Sequence, residues 1–245
     1  MFVMRYRHVR VHVHPLVAII ELIIIGYIVR ILPFLAGLRF NFIDYALISV
    51  LIFGGSIGSL FLHEYGHLLA ARCMHLPIKG ITLSLVGAYT SFEGEPSTAK
   101  TSFMISAAGP LMNILTGIIL FAAHIVLRES FFASTIFFCL SGFNAILGVF
   151  NLLPVMPLDG GCIVRSVFWG AGNDLMRSNR MSFDAGNVFI AICFLTGLVN
   201  VVESHPVVSV ICFVLGLSLG QSARATYRRM MTERLFSMMR PKSNV

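Results

Sequence analysis

The chain has 245 residues, 57% of them apolar and only 12% charged, where a soluble domain carries about 25% charged residues; a water-soluble globular protein is excluded, and most of the length is taken up by membrane spans. The net charge of +7 comes from basic residues that are scattered beside apolar runs, which points to the membrane surface and away from nucleic acid. The five cysteines (Cys73, Cys139, Cys162, Cys193, Cys212) form no CxxC pair, so neither a disulfide framework nor a cysteine zinc site is indicated.

Taken in chain order, residues 1–15 read as a basic cytoplasmic segment. Its histidines His8, His12 and His14 alternate, as interfacial side chains near arginines do. The apolar stretch that follows is too long for a signal-peptide core, and no cleavable signal is expected. A spanning helix needs about 20 mostly apolar residues, and six stretches qualify. They are Leu16–Leu35, Tyr45–Ala71, Phe103–Leu127, Phe131–Leu153, Asn187–Val202 and Val207–Leu219, the last two short. Between the second and third, Ile81-Thr82-Leu83-Ser84-Leu85 alternates strictly and reads as a strand. Gly87 and then Tyr89–Phe92 follow, which predicts a small β-hairpin. After the sixth span, Tyr227, Met230, Met231, Leu235 and Met238 recur at helical spacing among arginines, predicting a basic amphipathic tail over 221–245. The expected fold is an all-α polytopic membrane protein. About six transmembrane helices fill 16–220, with a small β-hairpin between helices 2 and 3.

Inside the second span stands His63-Glu64-Tyr65-Gly66-His67, with no charged residue from Tyr45 to Leu62. HExxH on a helix puts two imidazoles one turn apart on one face, able to grip one Zn²⁺, with a glutamate beside them to activate water. Ionisable groups are costly in hydrocarbon, so their presence there signals function by default. With six spans and an inside N-terminus, 15 lysines and arginines lie inside and only Arg30, Arg39 and Arg128 lie outside, a clear positive-inside bias. Both termini are therefore expected in the cytoplasm. At 1.5 Å per residue, His63 lies about 28 Å from Asp44 on the outer side and about 13 Å from Arg72 on the inner one, in the cytoplasmic half of the bilayer.

A catalytic zinc takes three protein ligands and keeps one position open for water. The best candidate for the third is Asp159, in Asn151-Leu-Leu-Pro-Val-Met-Pro-Leu-Asp159-Gly160-Gly161; alone, it would read as a helix N-cap. Prolines stop the fourth helix there and force extended backbone, which membranes tolerate where it lines a wet cavity or is buried in protein. The second and fourth spans both run from outside to inside, so the two motifs lie toward the same face.

HEYGH, Ala108-Gly109-Pro110-Leu111-Met112-Asn113 and NLLPVMPLDGG together resemble the site-2 protease family of intramembrane zinc metalloproteases. Val11-His12-Val13-His14-Pro15, leading into the first span, is similar to the branch containing the sporulation factor IV B protease. The resemblance runs from about residue 10 to 220. It implies one Zn²⁺ per chain held by His63, His67 and Asp159, with Glu64 as general base. It also implies that Asn151 helps to position substrate or stabilise the oxyanion. The glycine pair common in the family's hairpin reads Gly87-Ala88 here, and no CBS or PDZ domain is expected. The implied activity is hydrolysis of transmembrane or membrane-associated protein substrates near the cytoplasmic side of a bacterial or archaeal cell membrane. A substrate helix must unwind to expose its carbonyls. The strand carrying Ile81, Leu83 and Leu85, with Gly87, could hold the unwound chain by β-augmentation. The competing readings are a polytopic metal or solute transporter and a catalytically inactive binding scaffold. A transporter should show ionisable groups along several spans or repeated halves. Beyond the motif the spans offer little more than Glu21 and His124.

Overall fold

The computed structural model describes residues 2–6, 9–13, 41–76, 78–84, 87–92 and 96–239, with side chains over 41–76 and 96–232. The predicted first span, Leu16–Leu35, lies outside the described residues. The body is helical, with six helices among the described residues: α1 Phe42–Cys73, α2 Ala99–Val126, α3 Phe131–Asn151, α4 Asp159–Gly170, α5 Leu175–Val202 and α6 Pro206–Met239. Five of them are long and apolar enough to cross a membrane, namely α1, α2, α3, α5 and the Pro206–Thr232 part of α6.

The helix limits have local causes. α1 begins three residues earlier than expected because Asn41 and Asp44 form a capping box. Asn41 Oδ1 accepts from the Asp44 N–H at 2.9 Å, and the Asn41 N–H donates back to Asp44 Oδ2 at 3.4 Å; together they satisfy two of the donors a helix start leaves open. α2 begins at Ala99 rather than Phe103, where Thr98 Oγ1 accepts from the Thr101 N–H at 3.1 Å. α5 begins at Leu175, twelve residues before the predicted Asn187, because Asp174 caps it through the Arg177 N–H at 2.8 Å. Its first three turns carry Arg177, Asn179, Arg180, Ser182 and Asp184, a polar surface that hydropathy cannot recognise as the start of a span. The sixth span and the tail form one helix through Met239. Pro206 suits its first turn, and Gly220 alone does not break it. α4 was not anticipated at all.

The chain divides into two compact units. The first contains Met1–Pro96 and Ala107–Phe150. Its apolar core is Ile48, Ile52 and Leu140, flanked by Tyr45, Phe53, Leu120, Phe132, Ile136 and Cys139. Its strands β1 Phe2–Tyr6, β2 Val9–Val13, β3 Ile78–Ser84 and β4 Gly87–Phe92 pair in the order β1-β2-β3-β4. β3 and β4 are antiparallel, with Ile81 opposite Thr90 and Leu83 opposite Ala88. β2 runs parallel to β3 on its other side. β2 meets β3 at two positions, Arg10 beside Thr82 and Val11 beside Leu83. Leu85 lies outside the described residues.

The second unit contains Ser97–Ser106 and Asn151–Val245. Val155, Ile190, Leu219 and Ala223 form its buried core, with Phe183, Phe189, Phe194 and Leu215 packed against it. Phe183 and Tyr227 stack at 4.5 Å between centroids, tying α5 to the C-terminal part of α6.

Candidate metal centre

α1 buries the residues a lipid-facing helix would be expected to avoid. Its buried set is Ile48, Ile52, Ser56, Ser59, His63, Glu64, Gly66, His67 and Ala71. Phe61, Leu62, Tyr65 and Leu69 face outward. The helix is thus apolar outside and small or polar inside, the arrangement of a span whose function lies in the protein interior. His63, Glu64 and His67 retain 6%, 2% and 6% of their surface. Gly66 permits this burial: a Cβ there would stand 2.7 Å from the Ala108 carbonyl oxygen, so α2 lies directly on the α1 backbone.

The imidazole pair is set for one cation. His63 Nε2 and His67 Nε2 stand 3.2 Å apart. Two nitrogens at about 2.0–2.1 Å from one tetrahedral zinc are separated by roughly 3.3 Å, so the spacing fits. Gly109 of α2 keeps the space beside them free. A Cβ at that position would lie 2.8 Å from His63 Nε2 and would collide with His67 Nε2 and Cε1.

The far nitrogen of His63 is held as well. Nδ1 bonds to Asn113 Oδ1 in the buried interior. This leaves Nε2 as the metal-binding atom, the usual device by which a partner outside the ligand set fixes an imidazole. Asn113 in turn bonds to Asn144 at 3.0 Å. The sequence signal for these partners was the presence of two asparagines inside apolar spans. Neither asparagine is ionisable, so the cost of intramembrane charge does not mark them.

Asn151 is the last residue of α3 and Asp159 the first of α4. The seven residues between them turn through the cis peptide Met156–Pro157 and short backbone bonds, Val155 N–H to Leu153 O at 2.7 Å and Leu158 N–H to Val155 O at 2.9 Å. Gly160 and Gly161 let α4 start against this loop. A Cβ on Gly160 would collide with the Leu152 and Leu153 carbonyls, and one on Gly161 would stand 2.7 Å from the Val155 carbonyl carbon. α5 secures the same turn, since Ser182 Oγ donates to the Gly161 carbonyl at 2.6 Å. Asp159 is held in the first turn of α4. Among the described residues, His63, His67 and Asp159 are a group whose side chains suit one metal ion. Two imidazoles and a carboxylate are a donor set of catalytic zinc.

Of the predicted metal-binding residues, His63 and His67 stand together on α1 and Asp159 opens α4. Glu64 is buried next to His63 in sequence, and Asn151 is half-buried at the end of α3. Ile81 and Leu83 belong to β3 and Gly87 opens β4.

Comparison with known proteins bears on these observations. The sequence model of peptidase family M50 matches residues 48–133 and 125–196, more than half of the chain. The candidate zinc metalloprotease Rip3 of Mycobacterium tuberculosis is 32% identical over 193 residues, covering 76% of this chain and 49% of Rip3. The zinc metalloprotease MJ0392 of Methanocaldococcus jannaschii is 29% identical over 160 residues, covering 65% of this chain and 45% of that protein. The chain therefore spans about half the length of the relatives it matches. The solved structure of a site-2 protease from Methanocaldococcus jannaschii superposes with a TM-score of 0.52 at 24% identity, covering 89% of this chain and 93% of that one, which supports the same fold.

Proposed function

The chain belongs to peptidase family M50, the site-2 protease family, and from that membership we propose that it is an intramembrane zinc metalloprotease acting on transmembrane or membrane-associated protein substrates. The observation that carries the reading is the buried His63–His67 pair, whose Nε2 atoms stand 3.2 Å apart beside Glu64 within a helix fit to span a membrane. In this reading His63, His67 and Asp159 hold one zinc, and Glu64 is the general base.

Zinc, when bound, polarises the scissile carbonyl and acidifies a water. Glu64 takes that water's proton and later delivers it to the leaving amine. Its burial, at 2% exposure, supports the role by keeping the carboxylate within the site. Asn151 sits where α3 ends and backbone groups are freed; its amide is suited to hold the substrate carbonyl or its developing charge.

The positive-inside count supports cytoplasmic termini and cleavage near that face. It also supports the division into a basic segment 1–15, a membrane domain 16–220 and a basic tail 221–245. The sheet supports a place for unwound substrate. Strand addition is assigned to the β3–β4 hairpin, which carries Ile81, Leu83 and Gly87. The sequence Val11–Pro15 supports the sporulation-protease branch within the family.

The test uses the full chain in liposomes with a single-span model substrate. Cleavage should stop when metal is stripped by a chelator and return with about one equivalent of zinc. His67→Ala should bind none. Cleavage that persists in the metal-free protein would overturn the proposal.

A further inference from the structure

Three uncharged side chains behind the metal centre are buried almost completely: Asn113 and Asn144 at 0% exposure and Ser59 at 3%. Each comes from a different helix of the first unit, α2, α3 and α1 respectively. An amide or hydroxyl in a membrane interior is costly unless every polar atom has a partner. Here the partners form one directed chain. The Leu140 carbonyl can only accept, so the Asn144 atom 2.9 Å away is its amide nitrogen. The same nitrogen donates to Ser59 Oγ at 2.8 Å, while Ser59 gives its own proton to the Gly55 carbonyl at 2.9 Å. Asn144 must then present Oδ1 to Asn113, which answers with Nδ2 at 3.0 Å. That nitrogen also points at the Ser59 carbonyl at 3.4 Å. With its nitrogen committed, Asn113 has only Oδ1 left for His63, and Oδ1 accepts from Nδ1. Nδ1 of His63 therefore carries the proton, and the lone pair is on Nε2.

We propose that Ser59, Asn144 and Asn113 form a buried amide relay that fixes the tautomer and ring orientation of His63, making them positioning residues for the metal site. The inference rests on the zinc reading above. Its logic runs from a main-chain carbonyl that cannot donate, through two amides that cannot flip without losing bonds, to the ligand nitrogen. The relay also ties the metal-bearing helix to α2 and α3.

The test measures zinc affinity by chelator competition on the full chain in detergent, with the d–d absorption of the cobalt-substituted protein as a readout of ligand geometry. Asn113→Leu keeps the volume and removes the acceptor; zinc binding should weaken about 10–100-fold and the cobalt bands should shift. Asn113→Asp keeps an acceptor for Nδ1–H but loses the amide that donates to Asn144, so it should bind zinc more tightly than Asn113→Leu and less tightly than wild type. Asn144→Leu removes the outer link but leaves the bond to the Ser59 carbonyl, so its loss should be smaller than that of Asn113→Leu. Wild-type affinity in Asn113→Leu, or an equal loss in Asn113→Asp, overturns the relay. If Asn113→Leu does not fold, Asn144→Leu decides: weaker zinc binding with shifted cobalt bands supports the relay, and unchanged binding overturns it. A wild-type protein that takes up no zinc refutes the metal reading itself, a result separate from all of these.

Discussion

Gly109→Ala should abolish metal binding without unfolding the protein. The added methyl would stand 2.8 Å from His63 Nε2 and would collide with His67 Nε2 and Cε1. Non-bonded carbon contacts settle near 3.5–4.0 Å, so at least one ring must retreat by about 0.7 Å or more. A metal site tolerates about 0.2 Å in a ligand distance, so the displacement is several times the allowance. The backbone change works in the opposite direction. Alanine is favoured over glycine in a helix interior by up to about 1 kcal/mol, reduced here because Pro110 follows and disfavours helical backbone in the residue before it. The variant should therefore keep the thermal midpoint of the metal-free wild type within a few degrees while losing its zinc. Inductively coupled plasma mass spectrometry of purified protein, paired with thermal unfolding of the metal-free forms, measures both. A Gly109→Ala protein carrying one zinc at wild-type affinity would refute the reasoning that this glycine keeps the cation's place open.

Gly160→Ala should also lose zinc, but through the backbone: its methyl would collide with the Leu152 and Leu153 carbonyls, so α4 and Asp159 must shift. Such overpacking costs about 1–3 kcal/mol, and the thermal midpoint should fall together with zinc content. Ser182→Ala removes the 2.6 Å bond to the Gly161 carbonyl. It should destabilise by about 0.5–1.5 kcal/mol in denaturant titration while retaining zinc at saturating metal.

The catalytic half of the site was legible because its chemistry is local. His63, Glu64 and His67 are one turn of one helix, and a four-residue spacing can be read without tertiary structure. Asp159 was legible for a related reason, since prolines and glycines announce a break and the acid stands beside it. Asn144 and Ser59 were not, because a buried amide takes its meaning from partners 31 and 85 residues away. Helix ends showed the same divide. The cap at Asp174 extended α5 across a polar stretch that hydropathy assigns to water, and α4 is too short to register as a span. The strand pattern at Ile81–Leu85 named a plausible strand, but alternation does not reveal which edges are already paired.

The most direct measurement of the central claim is cleavage of a membrane-embedded substrate by wild type and Glu64→Gln, each reconstituted with one equivalent of zinc and read by mass spectrometry of the products. Glutamine keeps the shape and removes the base, and positioned general bases contribute about 10²–10⁴-fold to rate. The account predicts that both proteins hold zinc, that the wild type yields defined fragments, and that Glu64→Gln slows their formation by at least about 10²-fold. Equal cleavage by the two proteins would contradict it.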